Sequence, residues 1–274
     1  MNIEKYRLTN LLNDEVYCET WKPKNEIKAI LLLVHGLGEH CNRYRDDFAN
    51  FFTSNGIAIY TFDLPGHGQS GGKRGHIRHF SDPNKIILTL LEKIKRNHPD
   101  CPVYIYGHSL GGLISAAFLL ESQPDIKGAI LSAPAIDIDN PLPPFKVLIA
   151  KIMNKIYPSL ALDNGLKREF LSKNQSVIEK YNKDPLVHGL ATARLGTFII
   201  NKGKYVINNP DLLSISTLIM VGEDEKIVSK HAITVFCNNS NHCELKIWDD
   251  MYHEIHNEDN KKSVFRYVLS WMSS

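Results

Sequence analysis

This 274-residue sequence has no long apolar run, no block of like charges and little net charge. Its hydrophobic segments fall well short of the roughly 20 apolar residues that a membrane-spanning helix needs. The formal net charge is only +2, so electrostatics gives no reason to expect a nucleic-acid partner. The hydrophobic residues make up 43% of the chain and the charged ones 23%. These values are typical of a globular protein with a sizeable core.

Cysteine is scarce, with five residues at scattered positions. An odd number without regular spacing is typical of free thiols in a reducing compartment. The first seven residues, Met-Asn-Ile-Glu-Lys-Tyr-Arg, include charged and polar ones where a signal peptide would need an apolar segment. We therefore expect a cytoplasmic protein, and leave open whether it attaches peripherally to membranes. The 12 histidines include no His-Glu-x-x-His motif, so we expect neither a metal nor a cofactor, and no feature indicates an oligomeric state.

Short apolar runs alternate along the chain with helix-like segments, which predicts a parallel sheet covered by helices. Several runs are apolar throughout, as expected of strands buried on both faces. An additional hairpin at 6–12 and 15–21 is predicted at the sheet edge. The predicted strands are 29–34, 57–62, 103–106, 128–132, 217–221 and 245–248.

The alternation stops within 136–210, which predicts a helical cap inserted into a core made of 1–135 and 211–274. Open α/β sheets bind ligands at the carboxyl ends of their strands, so such a cap would cover the site. One cap segment places apolar residues at helical spacing, with Lys146, Lys151 and Lys155 mostly on the other side. This pattern is compatible with ordinary packing, with the lining of an acyl tunnel, or with contact to a membrane surface.

The most informative motif is Gly-x-Ser-x-Gly at 107–111. It lies between a predicted strand and a predicted helix, which is the context of a nucleophile elbow. The flanking glycines permit the tight turn that exposes the serine hydroxyl. The helix that follows offers unpaired N–H groups where an oxyanion would form. We therefore predict Ser109 as a nucleophile.

A serine nucleophile needs a base and an acid that orients the base, and in this architecture they follow in the order Ser, Asp/Glu, His. The turn after strand 217–221 is acidic, and we predict Asp224 as the acid. The turn after the next strand contains His253, our predicted base, with His256 as a competitor. Less favoured substitutes for the acid are Glu223, Glu225, Asp249 and Asp250.

The oxyanion hole is predicted from a second glycine-bearing turn, His35-Gly-Leu-Gly38, which follows strand 29–34. In this architecture one donor is the N–H of the residue after the nucleophile and the other comes from such a loop. We therefore predict the backbone N–H groups of Leu37 and Leu110 as the two donors.

Five motifs occur in the order seen in monoacylglycerol lipases and their lysophospholipase-like relatives, members of the α/β-hydrolase superfamily. The resemblance spans roughly 32–258 and implies an α/β-hydrolase fold with the same triad and oxyanion donors. A sixth segment, Asp184-Pro185-Leu186, resembles a family motif for which the sequence indicates no role. The five motifs are His35-Gly-Leu-Gly-Glu-His40, Asp63-Leu-Pro-Gly-His-Gly-Gln-Ser70, Gly107-His-Ser-Leu-Gly-Gly112, Gly222-Glu-Asp224 and Tyr252-His-Glu-Ile-His-Asn-Glu258.

The resemblance also implies that Glu39, Arg43 and His256 lie near the hydroxyl groups of a glycerol leaving group. An internal ion pair between Glu39 and Arg43 is the competing interpretation. The expected function is a serine hydrolase that cleaves esters of long acyl chains, with monoacylglycerol as the favoured substrate. A lysophospholipase or general carboxylesterase is the alternative within the same chemistry, and a non-catalytic ligand-binding member of the fold is the alternative outside it.

Overall fold

The computed structural model describes residues 1–9, 11–139 and 143–274, without the side chain of Lys146. In these ranges eight strands form one sheet, in the order β1-β2-β4-β3-β5-β6-β9-β10. The first two strands are an antiparallel hairpin, β2 pairs antiparallel with β4, and the remaining neighbours are parallel. The strands are β1 (Asn2–Leu8), β2 (Val16–Lys22), β3 (Ala29–Val34), β4 (Ile57–Phe62), β5 (Val103–His108), β6 (Gly128–Ser132), β9 (Thr217–Gly222) and β10 (Cys243–Trp248).

The central strand β3 shows why continuous apolar runs form this sheet. All six of its residues are buried, and successive side chains point to opposite faces. Ile30, Leu32 and Val34 belong to one hydrophobic core. Leu31 and Leu33 belong to the other. Both faces of the sheet are therefore covered, as the absence of polar positions in β3 predicts.

Helices cover the two faces unequally. Most buried apolar residues of α1 and α8 belong to the smaller core, whereas most of those of α2, α3 and α7 belong to the larger one. The parallel connections bring the carboxyl ends of β3, β5, β9 and β10 to the same edge of the sheet. These helices are α1 (Asp47–Ser54), α2 (Asp82–Asn97), α3 (Leu110–Ser122), α7 (Lys230–Asn238) and α8 (Lys261–Met272).

The chain between β6 and β9 is mostly helical, as predicted for the cap. It contains α4 (Pro144–Ile156), α5 (Gln175–Lys183) and α6 (Ala193–Ile207). It also contains a small antiparallel pair, β7 (Ala161–Asp163) with β8 (Leu190–Thr192). Strands of three residues are too short for an alternating pattern to reveal them. The cap bounds 136–210 stay a prediction, and 140–142 lie outside the described residues.

The predicted strands of the core are confirmed to within a few residues at each end. The edge hairpin is also present, but its first strand is Asn2–Leu8 and begins four residues before the predicted 6–12. The expectation of five free thiols is wrong. Cys237 and Cys243 form a disulfide, because the end of α7 and the start of β10 bring their Cα atoms within 5.1 Å. Cys18, Cys41 and Cys101 are free. Over the described ranges, no helix is long and apolar enough to cross a membrane.

Candidate active site

Ser109 lies on the turn between β5 and α3, in a backbone conformation that few non-glycine residues adopt. Its φ is 52° and its ψ is −116°. Hydrogen bonds hold this turn on both sides: the Ser109 N–H donates to the Ser132 carbonyl, and the Ala135 N–H donates to the Ser109 carbonyl, each at 3.0 Å. A strained conformation held by its surroundings is typical of a functional turn. The structure therefore has the elbow that the motif predicts.

The glycines of the motif are required by close packing. A Cβ at Gly107 would lie 2.6 Å from both the Gly111 carbonyl oxygen and the Ser115 hydroxyl. A Cβ at Gly111 would collide with the carbonyl oxygen of Val34, at the end of β3. Any side chain at either position would separate α3 from the strands. The two glycines thus hold the start of α3, and Ser109 with it, against the end of β3.

The predicted oxyanion loop lies directly beside the serine. A Cβ built on Gly36 would be 3.2 Å from the Ser109 Cβ, and Leu37 follows immediately. Leu110 is the first residue of α3, so its N–H is one of the four that have no acceptor within the helix. His35 braces the loop, because its Nε2 accepts from the Leu64 N–H at 2.9 Å and its Nδ1 lies 2.8 Å from the Gly36 carbonyl oxygen. The donor roles of Leu37 and Leu110 stay predictions.

His253 follows β10 and is almost fully buried. Its ring centroid lies 4.8 Å from that of His108, the neighbour of Ser109. Its Nδ1 lies 2.8 Å from Oε2 of Glu225, whose side chain is completely buried. Since a buried carboxylate fixes the tautomer of such a histidine, Nδ1 donates to Glu225 and Nε2 is left as the proton acceptor.

The predicted pair of Asp224 with His253 is not formed, and Glu225 makes the contact in its place. The Asp224 side chain is 44% exposed and lies 2.6 Å from the Lys173 ammonium, which also contacts Asp250. The turn after β9 directs Asp224 outwards and Glu225 inwards. Glu225 is one of the substitutes that the sequence left open, whereas the sequence alone favoured its neighbour Asp224.

The environment of Glu225 stabilises its charged form. Burial alone would raise the pKa of the carboxyl, but His253 and backbone N–H donors lower it overall. Its Oε1 accepts from the N–H groups of Lys226, Ile227 and Val228 at 2.9, 2.7 and 3.2 Å. The pKa of His253 is raised overall: its burial acts in the opposite direction, but the Glu225 charge outweighs it. The pair therefore combines an ionised acid with a strengthened base.

Glu39 and Arg43 form the internal ion pair that the sequence left as an alternative, and a third residue joins them. The Arg43 guanidinium contacts Glu39 and binds Glu254 with two hydrogen bonds of 2.6 and 2.7 Å. It also lies over the Tyr181 ring at 4.6 Å, and the Tyr44 hydroxyl donates to Glu39 at 2.9 Å. Sequence reasoning missed Glu254, although an acidic residue next to the predicted base was a visible signal.

His256 is buried near the same network. Its ring stacks on Tyr44 at 4.8 Å and lies 4.6 Å from the His108 ring. Among the described side chains, neither of its ring nitrogens has a hydrogen-bond partner. Burial lowers the pKa of His256 to about 3, so the imidazole is neutral near pH 7. A neutral, buried imidazole with two unused nitrogens can bind hydroxyl groups of a ligand.

The comparisons with known proteins agree with this fold. The sequence matches the family described as serine aminopeptidase, S33, over residues 25–260. It is 30% identical to a monoacylglycerol lipase of Mycolicibacterium smegmatis, over 93% of this chain and 92% of that protein. It is also 30% identical to phospholipase YtpA of Bacillus subtilis, over 90% of this chain and 95% of that protein. The crystal structure of a Paleococcus ferrophilus monoacylglycerol lipase superposes with a TM-score of 0.85 at 28% identity, covering 98% of each chain.

Proposed function

This chain is a member of the serine aminopeptidase S33 family and has the α/β-hydrolase fold, and we propose that it hydrolyses the ester bond of monoacylglycerols. The observation that carries the proposal is the arrangement of Ser109, His253 and Glu225 at the carboxyl ends of β5, β10 and β9. The named activity of its relatives then favours a lipid ester as the substrate.

The proposed reaction has two halves. Ser109 Oγ attacks the carbonyl carbon of the ester while Nε2 of His253 takes the hydroxyl proton. The negative charge that forms on the carbonyl oxygen is stabilised by the N–H groups of Leu37 and Leu110. When the tetrahedral intermediate collapses, glycerol leaves with the proton from His253, and the acyl group stays on Ser109. A water molecule, deprotonated by His253, then releases the fatty acid and restores the serine.

Glu225 is the acid that orients His253, the role that the sequence predicts for Asp224. Its carboxylate holds the tautomer in which Nε2 of His253 faces the nucleophile, and it stabilises the imidazolium that forms during each proton transfer. Glutamate serves this role in other hydrolases as well as aspartate. The contact of 2.8 Å with His253 supports this assignment, whereas the Asp224 carboxylate is paired with Lys173 at the surface.

For the leaving group, we propose that His256 binds a glycerol hydroxyl. Its two unused ring nitrogens support this role, because leaving buried polar atoms without a partner costs about 1–3 kcal/mol. We propose that Glu39 and Arg43 lie near the leaving group, as predicted, but that they support the site rather than bind the hydroxyl groups. Most of the charge of Arg43 is already matched by Glu39 and Glu254.

The lysophospholipase alternative is retained because of one comparison. The Bacillus subtilis relative is named a phospholipase and has the same 30% identity to this chain as the Mycolicibacterium smegmatis lipase. We rank it second because Arg43 is held by two carboxylates and offers no free charge to a phosphate.

The deciding assay is hydrolysis of monoacylglycerols of increasing chain length, with a lysophospholipid and a short p-nitrophenyl ester measured beside them. Ser109→Ala is the blank, and a fluorophosphonate probe tests whether Ser109 reacts at all. We expect the glycerol esters to be preferred and all turnover to vanish in the blank. A higher rate on the lysophospholipid would favour the alternative, and turnover of the short ester alone would indicate a general carboxylesterase. A folded protein inert to the probe would indicate a non-catalytic member of the fold.

The cap supports a second part of the proposal, contact with a membrane surface. Phe145, Leu148 and Ile156 of α4 are 61%, 59% and 74% exposed, and the exposed Lys151 and Lys155 lie on the same helix. Apolar residues that reach into solvent beside basic ones are typical of helices that lie on lipid. Ile149 and Ile152 are exposed as well, while the side chain of Lys146 lies outside the described residues.

This contact is tested by cosedimentation with vesicles of phosphatidylcholine that contain an anionic lipid. We expect Leu148→Gln to reduce binding severalfold. Leu88→Gln is the matched control, because Leu88 is also exposed, at 43%, but lies on α2 of the core. Equal binding of the two variants would contradict the proposal. Hydrolysis of a substrate below its aggregation concentration should be unchanged by either.

A further inference from the structure

The cap reaches the oxyanion loop through a short segment that follows α5. We call residues 184–188 the cap tether; its sequence is Asp-Pro-Leu-Val-His. We propose that Asp184 is a positioning residue for the oxyanion hole, acting through His40. The inference rests on the donor role proposed for Leu37, and it holds for any ester substrate.

The first contact of the cap tether is a hydrogen bond between cap and core. Oδ2 of Asp184 lies 2.8 Å from Nε2 of His40, which is 4% exposed. The other carboxylate oxygen, Oδ1, accepts the Leu186 N–H at 2.9 Å. One side chain thus fixes the turn of the cap tether and holds the end of the oxyanion loop.

The second contact is made by backbone. The His188 N–H donates to the Gly38 carbonyl at 2.9 Å, and Nε2 of His188 lies 3.1 Å from the Gly66 carbonyl oxygen. Gly38 has a φ of 75°, and a Cβ there would collide with the His188 carbonyl oxygen. The cap tether therefore packs on the residue that follows Leu37 so closely that only glycine fits.

These contacts complete the support of the loop. At the other end of the loop, the Gly36 N–H donates to Oε1 of Glu39 at 2.6 Å, and that bond lies within the loop itself. The cap tether adds a support that comes from the cap. An oxyanion donor works only when it points at the developing charge, within a few tenths of an ångström. The Asp-Pro-Leu motif, for which the sequence indicates no role, is then the piece of the cap that holds Leu37 in place.

The test is Asp184→Asn, which keeps an oxygen for the Leu186 N–H and removes the charge that His40 contacts. The matched control is Asp163→Asn. Asp163 is also in the cap and also accepts a backbone N–H two residues later, from Gly165 at 2.7 Å, but it is exposed. Both proteins are assayed with p-nitrophenyl acetate and with a long-chain monoacylglycerol, and with a trifluoromethyl ketone that forms a tetrahedral adduct on the serine.

We expect Asp184→Asn to lower kcat about tenfold on both substrates, with KM changed less than twofold. This is a fraction of the roughly 100- to 1,000-fold loss that follows removal of a whole oxyanion donor. The ketone should bind more weakly by the same factor, because its oxyanion needs the same N–H groups. Asp184→Glu should recover part of the rate, and Asp163→Asn should behave like the wild type.

Three results would overturn the inference. Unchanged kcat in a folded Asp184→Asn protein would show that the contact is irrelevant to the reaction. A loss confined to KM and growing with acyl length would assign Asp184 to substrate binding. Equal losses in Asp163→Asn would show a general effect of the cap. If Asp184→Asn does not fold, His40→Gln is measured instead, with the same expected split between kcat and KM. Because the acetate assay needs no lipid, the outcome is readable even if monoacylglycerols are not the substrate.

Discussion

Replacing Glu225 by glutamine tests the central assignment of the site. In the wild type, Oε1 of Glu225 accepts three backbone N–H groups and Oε2 accepts the Nδ1–H of His253. The amide oxygen of a glutamine would remain on the three N–H groups, because only the oxygen can accept them. Its NH₂ group would then face His253 and force Nδ1 to accept. The proton of the imidazole would move to Nε2, and the nitrogen that must take the Ser109 proton would already carry one.

The expected loss follows from this change of tautomer. In a serine protease triad the corresponding replacement of an acid by its amide lowers kcat by about 10⁴, and we expect a fall of about 10³–10⁴ for Glu225→Gln. Asp224→Asn is the matched control. Because that side chain is exposed and pairs only at the surface, its loss should change kcat by less than about threefold.

The assay is steady-state hydrolysis of a p-nitrophenyl ester between pH 5 and pH 9. His253 must be neutral to act as a base, so activity is lost as the pH falls through its pKa. Glu225 raises that pKa, which places the acid limb of kcat/KM above the ordinary value of about 6.5. In the residual activity of Glu225→Gln the acid limb of kcat/KM should move to lower pH, because without the Glu225 charge the burial of His253 lowers its pKa. A large loss in Asp224→Asn with little change in Glu225→Gln would refute the reasoning.

Two other features of the site make separate predictions. Glu254→Gln should lower the free energy of unfolding by about 3 kcal/mol at pH 7, because it leaves Arg43 half-paired in a buried place; urea denaturation measures this. The pKa of Glu254 is lowered to about 2, since the attraction of Arg43 outweighs the opposing effect of burial. A carboxyl with a depressed pKa stabilises the fold at pH values above the pKa that it has in the unfolded chain. The difference in unfolding free energy between the wild type and Glu254→Gln should therefore shrink as the pH falls from about 4.5 towards 2. Gly38→Ala should reduce kcat at least tenfold, because the added Cβ collides with His188. Gly196 of α6 is the control, since a Cβ there meets open space. Gly196→Ala should keep full activity and raise the free energy of unfolding by about 0.5–1 kcal/mol.

The core of the fold could be predicted because its signals are local. The strands β3, β4 and β9 are apolar throughout, and a strand buried on both faces allows little else. The elbow is equally visible, since Gly107 and Gly111 are dictated by packing within a few residues of Ser109. The sequence also indicated which turns follow the strands, and therefore which of them meet at one edge of the sheet.

What could not be predicted depends on contacts between distant segments. The exposure of the apolar face of α4 is one case, because an apolar stripe at helical spacing does not reveal whether another helix covers it. The partner of Arg43 is another. Its bonds to Glu254 span 211 residues, and no local pattern predicts that pairing. The disulfide of Cys237 with Cys243 was missed although the two are close in sequence, because a turn between α7 and β10 must first bring them together.

The choice between Asp224 and Glu225 shows how tertiary contacts select a role among similar neighbours. Both residues follow β9 and both carry a carboxylate, so spacing alone cannot separate them. The two carboxylates differ in the groups that they contact. Lys173, from the cap, neutralises Asp224 at the surface, while three N–H groups of the same turn and His253 enclose Glu225. A carboxylate that accepts several backbone N–H groups remains ionised despite its burial, and an ionised carboxylate can hold a histidine in the tautomer that acts as a base. The acid that we propose for this site is therefore distinguished by its hydrogen-bond donors, and Glu225 contacts His253 because its side chain points inwards from the turn.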